Sequence, residues 1–483
     1  MSETLTALDA TFLELEEANE GALMAIGGVM VFDPLPEGGV PSLEEVCYAV
    51  ARRLDALPRY SQKLSSTKVG RFAWPRWVPD EAFEIANHVS RAALPAPGGS
   101  AELCDWMADY FSHRLDRTRP LWEIVLIEGL EGGRWALAQK THHCLIDGVG
   151  SVNVLQLLLD AEPDPSEAEP DIPISAPPGG LLQEALPRLP QPLSQAAEAG
   201  LHAAEAGAHA LRHPREAASR TASLTELLVR DELIAAPHTS LNRPIGSTRR
   251  FAAVRLPLGE LAAIRREVGG SVNDILLAAC SSGLRKLLLE RGENPPPQGL
   301  RAMVPMDLRE ASQRLALGNR VTSLFVELPV AESAPEERYR QVVAATTRLK
   351  RSGAAAGAST MLDLAALAPP VLHAQLARSI YGTRLFNVTI TNVPGPQTPL
   401  YAFGAQLREV YPVVPLAAGH TVGIAAFSYN GFVTLGVIAD ADSTPDIATL
   451  AYGVEEGIEE LLALRTTPSG LSADPSHAGS RSR

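Results

Sequence analysis

The chain has 483 residues, a formal net charge of −14 at pH 7, 46% apolar residues and 20% charged residues. That length exceeds what one hydrophobic core organises, so two domains are expected in a soluble globular protein. The acidic balance argues against nucleic acid as the main partner and disfavours attachment to an acidic membrane by charge alone.

Four cysteines (Cys47, Cys104, Cys144 and Cys280) form no CxxC pair. This fits a reducing cytoplasm, with the thiols packed as small apolar groups. The first residues, MSETLTALDATFLELEE, lack a basic region followed by an apolar core, so no signal peptide is expected. No uncharged apolar run reaches ~18 residues, so no membrane span is expected.

Taken in order, residues 22–32 (ALMAIGGVMVF) are an apolar run of strand length, and 42–57 have helical spacing. Residues 72–79 (FAWPRWVP) read as an extended segment or loop. Residues 101–115 read as a helix, and 117–130 as a basic turn, a proline and a strand. Glu131-Gly132-Gly133 then turns into an alternating strand over 134–140, which suggests a hairpin. That strand leads into THHCLIDGVG (141–150), and helical spacing follows over 149–160. Residues 161–178, rich in proline and acid, read as a linker, and a helix is expected through 194–211. From 233 to 259 there are Arg243, Arg249, Arg250 and Arg255 and no acidic residue, the most basic stretch of an acidic protein.

In the second half, strands are expected over 251–258, 300–306, 321–330, 386–392, 405–413, 422–428 and 432–439. Helices are expected over 271–291, 335–351, 359–378 and 445–464, and the polar tail from 466 is expected to be disordered. The mixture of strands and helices in both halves gives two α/β or α+β domains. The expected division is 1–178, a helical linker over 179–239, a second domain over 240–465 and a tail over 466–483.

The chemical candidates centre on His142, His143, Asp147 and Gly148, where a strand ends and a helix begins. A neutral imidazole takes a proton near pH 7, and such a junction lets rigid elements hold an accessible loop. On these residues alone, His143 reads equally as a general base or as a structural histidine, and Asp147 as its orienter or as a helix cap. A zinc site at His142, His143 and Cys144 is disfavoured, because three consecutive residues do not converge on one tetrahedral ion.

Ser271-Val272-Asn273-Asp274 matches a helix start; either Asp274 does no more than satisfy amides of the first turn, or the Asn273 side-chain amide faces a cleft. Thr391 and Asn392, at the head of TNVPGP, form either a plain turn or a polar strand end beside a substrate channel. The indole of Pro120-Leu121-Trp122-Glu123 reads as core, with Glu123 pairing an arginine. No GxSxG elbow and no GxxxxGK[ST] loop is present.

Together these motifs resemble the bacterial wax ester synthase/acyl-CoA:diacylglycerol acyltransferase family. The match is an ordered series: DATFLELE (9–16), PLWE (120–123), HHCLIDG (142–148), SLNRPIG with RRFA (240–252), VNDILL (272–277), RAMVPMDLR (301–309), LGNR (317–320), TNVPGP (391–396) and SYNGFVTLGVIAD (428–440). Cys144 stands where the family commonly has alanine, and Arg243 where it commonly has glycine.

The resemblance implies two chloramphenicol-acetyltransferase-like domains with a substrate channel between them. It implies acyl transfer from acyl-CoA to diacylglycerol or a long-chain alcohol, with His143 as base, His142 shaping the loop and Asp147 anchoring it. Gly148, Asn273, Asp274, Thr391 and Asn392 become candidates for substrate or oxyanion contacts, and Arg243, Arg249 and Arg250 for the CoA phosphates. Acyl-CoA enters as a co-substrate, and no metal or cofactor is required. A cytoplasmic enzyme touching a membrane or lipid-droplet surface follows from the lipid substrates. Two other readings stay open: a carrier-protein thioester as donor, and a non-catalytic lipid-binding protein of the same fold.

Overall fold

The structure is a computed structural model and describes residues 4–54, 57–65, 75–146, 159–163, 235–307, 321–352 and 385–464. Its first part runs α1 (Ala7–Ala18), β1 (Ala25–Phe32), α2 (Leu43–Leu54), β2 (Gln62–Leu64), β3 (Trp77–Pro79), β4 (Val89–Ala93), α3 (Ser100–Tyr110), β5 (Trp122–Glu128) and β6 (Trp135–His142). Its second part runs β7 (Arg249–Pro257), α4 (Leu258–Val268), α5 (Val272–Glu290), β8 (Leu300–Asp307), β9 (Val321–Leu328) and α6 (Pro335–Ser352). It ends with β10 (Val388–Pro394), β11 (Tyr401–Ala402), β12 (Ala405–Val413), β13 (Val422–Tyr429), β14 (Phe432–Asp440) and α7 (Ile447–Ala463).

Two six-stranded sheets carry the molecule, in the orders β11-β12-β1-β6-β5-β4 and β7-β14-β13-β10-β8-β9. The expected hairpin is β5–β6, with Trp122 opposite Thr141 and Ile127 opposite Ala136. All eight residues of β6 are buried. Trp135 and Leu137 pack into one core cluster, and Ala136 and Ala138 into another. This is the period-two alternation of a strand covered on both faces.

The late strand β12 lies antiparallel to β1, with Gly27 opposite Val413 and Phe32 opposite Leu407. The first sheet therefore draws on both ends of the chain. A single cut near residue 240 would remove β11 and β12 from the sheet they complete. The sheets also share a core, in which Val29, Val31 and Tyr411 meet Phe251, Ala425 and Ile438. They approach closely at Gly436 of β14, where a Cβ would collide with the carbonyl oxygen of Pro412 of β12.

In the second sheet β10 lies parallel to both β8 and β13. α5 packs against this sheet with most of its side chains buried, and α7 packs with it in the same core. The expected helices over 194–211 and 359–378 and the tail lie outside the described residues, as does the expected helix over 149–160 up to residue 158; Asp160 itself forms an isolated bridge to Tyr401.

Gly436→Val is expected to cost about 1–3 kcal/mol, the usual scale of overpacking. All five tryptophans lie in the first 135 residues, so their emission reports on the N-terminal half. Thermal melting should fall and the emission should shift to the red, although the substitution lies on the second sheet.

Candidate active site

The strand β6 ends at His142, which pairs with Ala25 of β1 and whose amide donates to Leu121 O at 2.9 Å. The His143 amide donates to Met24 O at 2.8 Å, and the Leu145 amide turns back to His142 O at 2.9 Å. The two histidines thus stand at the strand end, as the sequence predicts. Asp147 and Gly148 lie outside the described residues.

Helix α1 crosses this strand end. Thr6 caps it, its Oγ1 accepting from the Asp9 amide at 3.1 Å. Phe12 and Glu16 are four residues apart and so share a helix face. The Phe12 ring stacks on the His143 imidazole with centroids 3.9 Å apart and planes 13° apart. The Glu16 carboxylate accepts from His142 Nε2 at 3.3 Å, from Arg117 Nη2 at 2.7 Å and from the Met24 amide at 3.3 Å.

His142 is 1% exposed, and both of its ring nitrogens are engaged. Its Nδ1 accepts the Cys144 amide at 3.1 Å, which leaves Nε2 to carry the hydrogen that faces Glu16. Burial lowers the His142 pKa from its ordinary 6.5 and outweighs the Glu16 bond that would raise it, so the ring is neutral near pH 7. For Glu16, burial alone would raise the carboxyl, but the hydrogen bonds it accepts from His142 and Arg117, together with the Arg117 charge, outweigh it and bring the value down to about 2. The Cys144 side chain is buried in the core, and burial pushes its thiol well above the usual range.

The PLWE segment holds the same strand end from the β5 side. Leu121 O receives the His142 amide, and Trp122, 2% exposed, donates from Nε1 to Tyr60 O at 2.7 Å. Among the described residues Glu123 pairs with a lysine rather than the expected arginine. Its partner is Lys140 Nζ at 2.6 Å, because Glu123 and Lys140 face each other across the β5–β6 ladder.

A second cluster lies at the start of α5. Ser271 caps the helix, and Asp274 Oδ2 accepts from the Ser271 amide at 2.8 Å and from its hydroxyl at 2.6 Å. Asp274 Oδ1 accepts from Thr346 Oγ1 at 2.7 Å, so this carboxylate, 3% exposed, is spent inside the protein. Asn273, next to it, accepts at Oδ1 from Asn392 Nδ2 at 3.4 Å. The strand β10 runs on through Pro394 because its pairing with β13 continues to Ser428, so Thr391 and Asn392 lie in the strand rather than in a turn. Thr391, Asn392 and Asn273 are all half-buried.

The structure therefore joins His142 and His143 to α1 on the first sheet, and Asn273 to Asn392 on the second. Arg243 and Arg250 are exposed. Arg249 is 4% exposed, and its guanidinium donates to the carbonyls of Gly21, Gly246 and Thr248. Phe12 and Glu16 were missed as site residues; the signal available was their four-residue spacing in DATFLELE.

Two sheets of this form, with a late strand returned to the first, make the condensation-domain fold. The starter condensation domain of rhizomide synthetase superposes with a TM-score of 0.62 over 96% of this chain and 95% of that one, at 16% identity. The family is also fixed. The family model described as the wax ester synthase/diacylglycerol acyltransferase catalytic domain matches residues 5–276, and the WS/DGAT C-terminal domain matches 317–462. The chain belongs to the wax ester synthase/diacylglycerol acyltransferase family.

A probable diacylglycerol O-acyltransferase of Mycobacterium tuberculosis is 33% identical over 471 residues, covering 95% of this chain and 96% of that protein. The wax ester synthase/diacylglycerol acyltransferase of Marinobacter aquaeolei superposes with a TM-score of 0.66 at 27% identity, covering 95% of this chain and 99% of that one.

The Glu16 value gives a pH dependence. It lies below the ordinary carboxyl value of 4.5, so the stability it contributes is present above 4.5 and lost as pH falls through about 2. At ~1.36 kcal/mol per pKa unit this is about 3 kcal/mol. Glu16→Gln should unfold in less denaturant than the parent at pH 7. The gap between the two should close as pH falls from 4.5 towards 2. A gap independent of pH would remove the charge from the account.

Proposed function

We propose that this O-acyltransferase moves a long-chain acyl group from acyl-CoA to the hydroxyl of diacylglycerol or a long-chain alcohol, with His143 as general base. The observation that carries the reading is the placement of His143 at the end of β6: half-buried, its amide on Met24 O and its ring stacked on Phe12, next to a buried His142 that is engaged with Glu16 and the Cys144 amide.

In this mechanism the His143 imidazole takes the hydroxyl proton as the alcohol oxygen attacks the thioester carbonyl. The tetrahedral oxyanion collapses, the carbon–sulfur bond breaks, and the imidazolium returns the proton to the leaving thiolate. General-base assistance supplies ~10²–10⁴ in rate. The remainder comes from holding donor and acceptor together and from hydrogen-bond donors to the oxyanion.

Asn273 and Asn392 are the amide side chains proposed to contribute there, with Thr391 beside them. Asp274 serves by fixing the helix turn that carries Asn273. Asp147 and Gly148, which belong to the same motif, remain proposed site residues. Arg243 and Arg250, exposed on the second half, are the proposed contacts for the CoA phosphates.

Release of CoA thiol from palmitoyl-CoA tests the reading, with hexadecanol, with diacylglycerol and with no acceptor. Acceptor-dependent release should fall by about 10² or more in His143→Ala. Asn273→Ala should lose about 10² in kcat with KM kept, the scale of one oxyanion donor. Acceptor-independent release would mean a thioesterase. Activity only with a carrier-bound acyl chain would replace the donor.

Among the described residues no helix is long and apolar enough to cross a membrane. The proposed enzyme is cytoplasmic and meets its lipid substrates by peripheral contact at a membrane or droplet surface. The protein should float with lipid droplets at low salt, and recovery wholly in the unbound fraction would count against that contact.

A further inference from the structure

Arg249 opens β7 on the second sheet, yet its guanidinium reaches the turn that follows α1. Nη1 donates to Gly246 O at 2.6 Å and to Thr248 O at 3.3 Å, and Nη2 donates to Gly21 O. Among the described residues, every hydrogen bond of this guanidinium goes to a main-chain carbonyl. Its backbone amide donates to Ser112 Oγ at 2.9 Å, just beyond α3. Asp440, its register partner on β14, spends its carboxylate on the Gly246 amide at 2.7 Å and the Ser443 amide at 2.9 Å.

A buried cation is costly, and an apolar residue of similar volume commonly serves stability as well or better. What this arginine secures is a short path to His143. Gly21 N–H donates to Asn19 Oδ1 at 2.8 Å, and Leu23 N–H donates to Gly21 O at 3.1 Å. The next residue, Met24, donates its amide to Glu16 and receives the His143 amide on its carbonyl. Gly21 is itself wedged against the second half, since a Cβ there would collide with the carbonyl oxygens of Ile245 and Gly246. The same short segment is therefore gripped by Arg249 on one side and grips His143 on the other.

We propose that Arg249 is a positioning residue for acyl transfer: from the second sheet it clamps the 19–24 turn that seats His143. The place of the imidazole then depends on the two sheets being closed on each other. This rests on the reading of His143 as the base. It also reassigns Arg249 from the CoA phosphates, for which burial makes it unsuited.

Full-length Arg249→Gln, Arg249→Lys and His143→Ala are compared in kcat, in KM for palmitoyl-CoA, and in hydrogen exchange of the peptide covering 141–146. In Arg249→Gln, kcat should fall about 10–100-fold, the scale of a misplaced catalytic group, with KM kept within about two-fold. The 141–146 peptide should exchange faster in that variant. Arg249→Lys, which keeps a donor and the charge, should recover part of kcat. If Arg249→Gln does not fold, Gly21→Ala displaces the same turn by pushing on the Ile245 and Gly246 carbonyls of the second half and is read in the same way.

A raised KM for palmitoyl-CoA with kcat kept would return Arg249 to the phosphates and overturn the clamp. A lowered melting temperature with kcat, KM and exchange unchanged would leave a structural role only, and also overturns it. An inactive His143→Ala beside fully active arginine variants removes the clamp and leaves the base. An active His143→Ala removes the base, and the clamp with it.

Discussion

The carboxylate of Glu16 is the interaction on which the site depends. It is buried, and an unpaired charge there would be prohibitive. Three donors from different parts of the chain make it tolerable: the Met24 amide, Arg117 and His142. Meeting these demands docks a helix of 12 residues, too short to be stable alone, onto the end of β6. The last turn of α1 has no basic residue of its own. Arg114 donates to the carbonyls of Glu16 and Asn19, and Arg117 to that of Leu13, so cations from elsewhere stand at the negative end of the helix.

The same logic extends to buried amides away from the histidines. In SLNRPIG, Asn242 receives Asn387 Nδ2 on its Oδ1 at 2.6 Å and donates to Phe386 O at 3.1 Å. Asn387, fully buried, also donates to Pro237 O at 2.8 Å and accepts the Arg301 amide at 2.8 Å. This strap ties the start of β8 to the approach to β10, the strand that carries Thr391 and Asn392. A buried polar network with its members satisfied makes one arrangement strongly preferred, because any other leaves amides unpaired. The two sheets are held in turn by β12, which pairs with β1, and by the core shared between Tyr411, Phe251 and Ile438.

Local order was legible in the sequence, and non-local order was not. The β5–β6 hairpin, the capped start of α5 and the strand β12 follow from alternation, capping residues and turn glycines acting over a few positions. α4 was legible but overlooked: Leu258, Leu261, Ile264 and Val268 recur at helical spacing, and Leu261 and Ile264 are buried. That β12 joins the first sheet was not legible, because pairing across more than 370 residues leaves no mark in either strand alone. Arg249 shows the same limit. Its charge suggested phosphate, and only the packed structure shows that carbonyls surround it. The ordered motifs, in contrast, carried the family, which the matches over 5–276 and 317–462 bear out.

Two identical side chains next to each other are given different chemistry by α1. Its Phe12 lies flat on the His143 ring, and its Glu16, one turn on, takes the Nε2–H of His142. Because the Cys144 amide occupies the other nitrogen of His142, protonating that ring would set two hydrogens against each other at Nδ1. The cost of that clash adds to the cost of burying an imidazolium, so His142 stays neutral and fixed. Environment, rather than residue type, thus separates a holding histidine from its neighbour. The neighbour is stacked on Phe12 and anchored by its backbone amide, contacts that do not depend on the protonation of its ring.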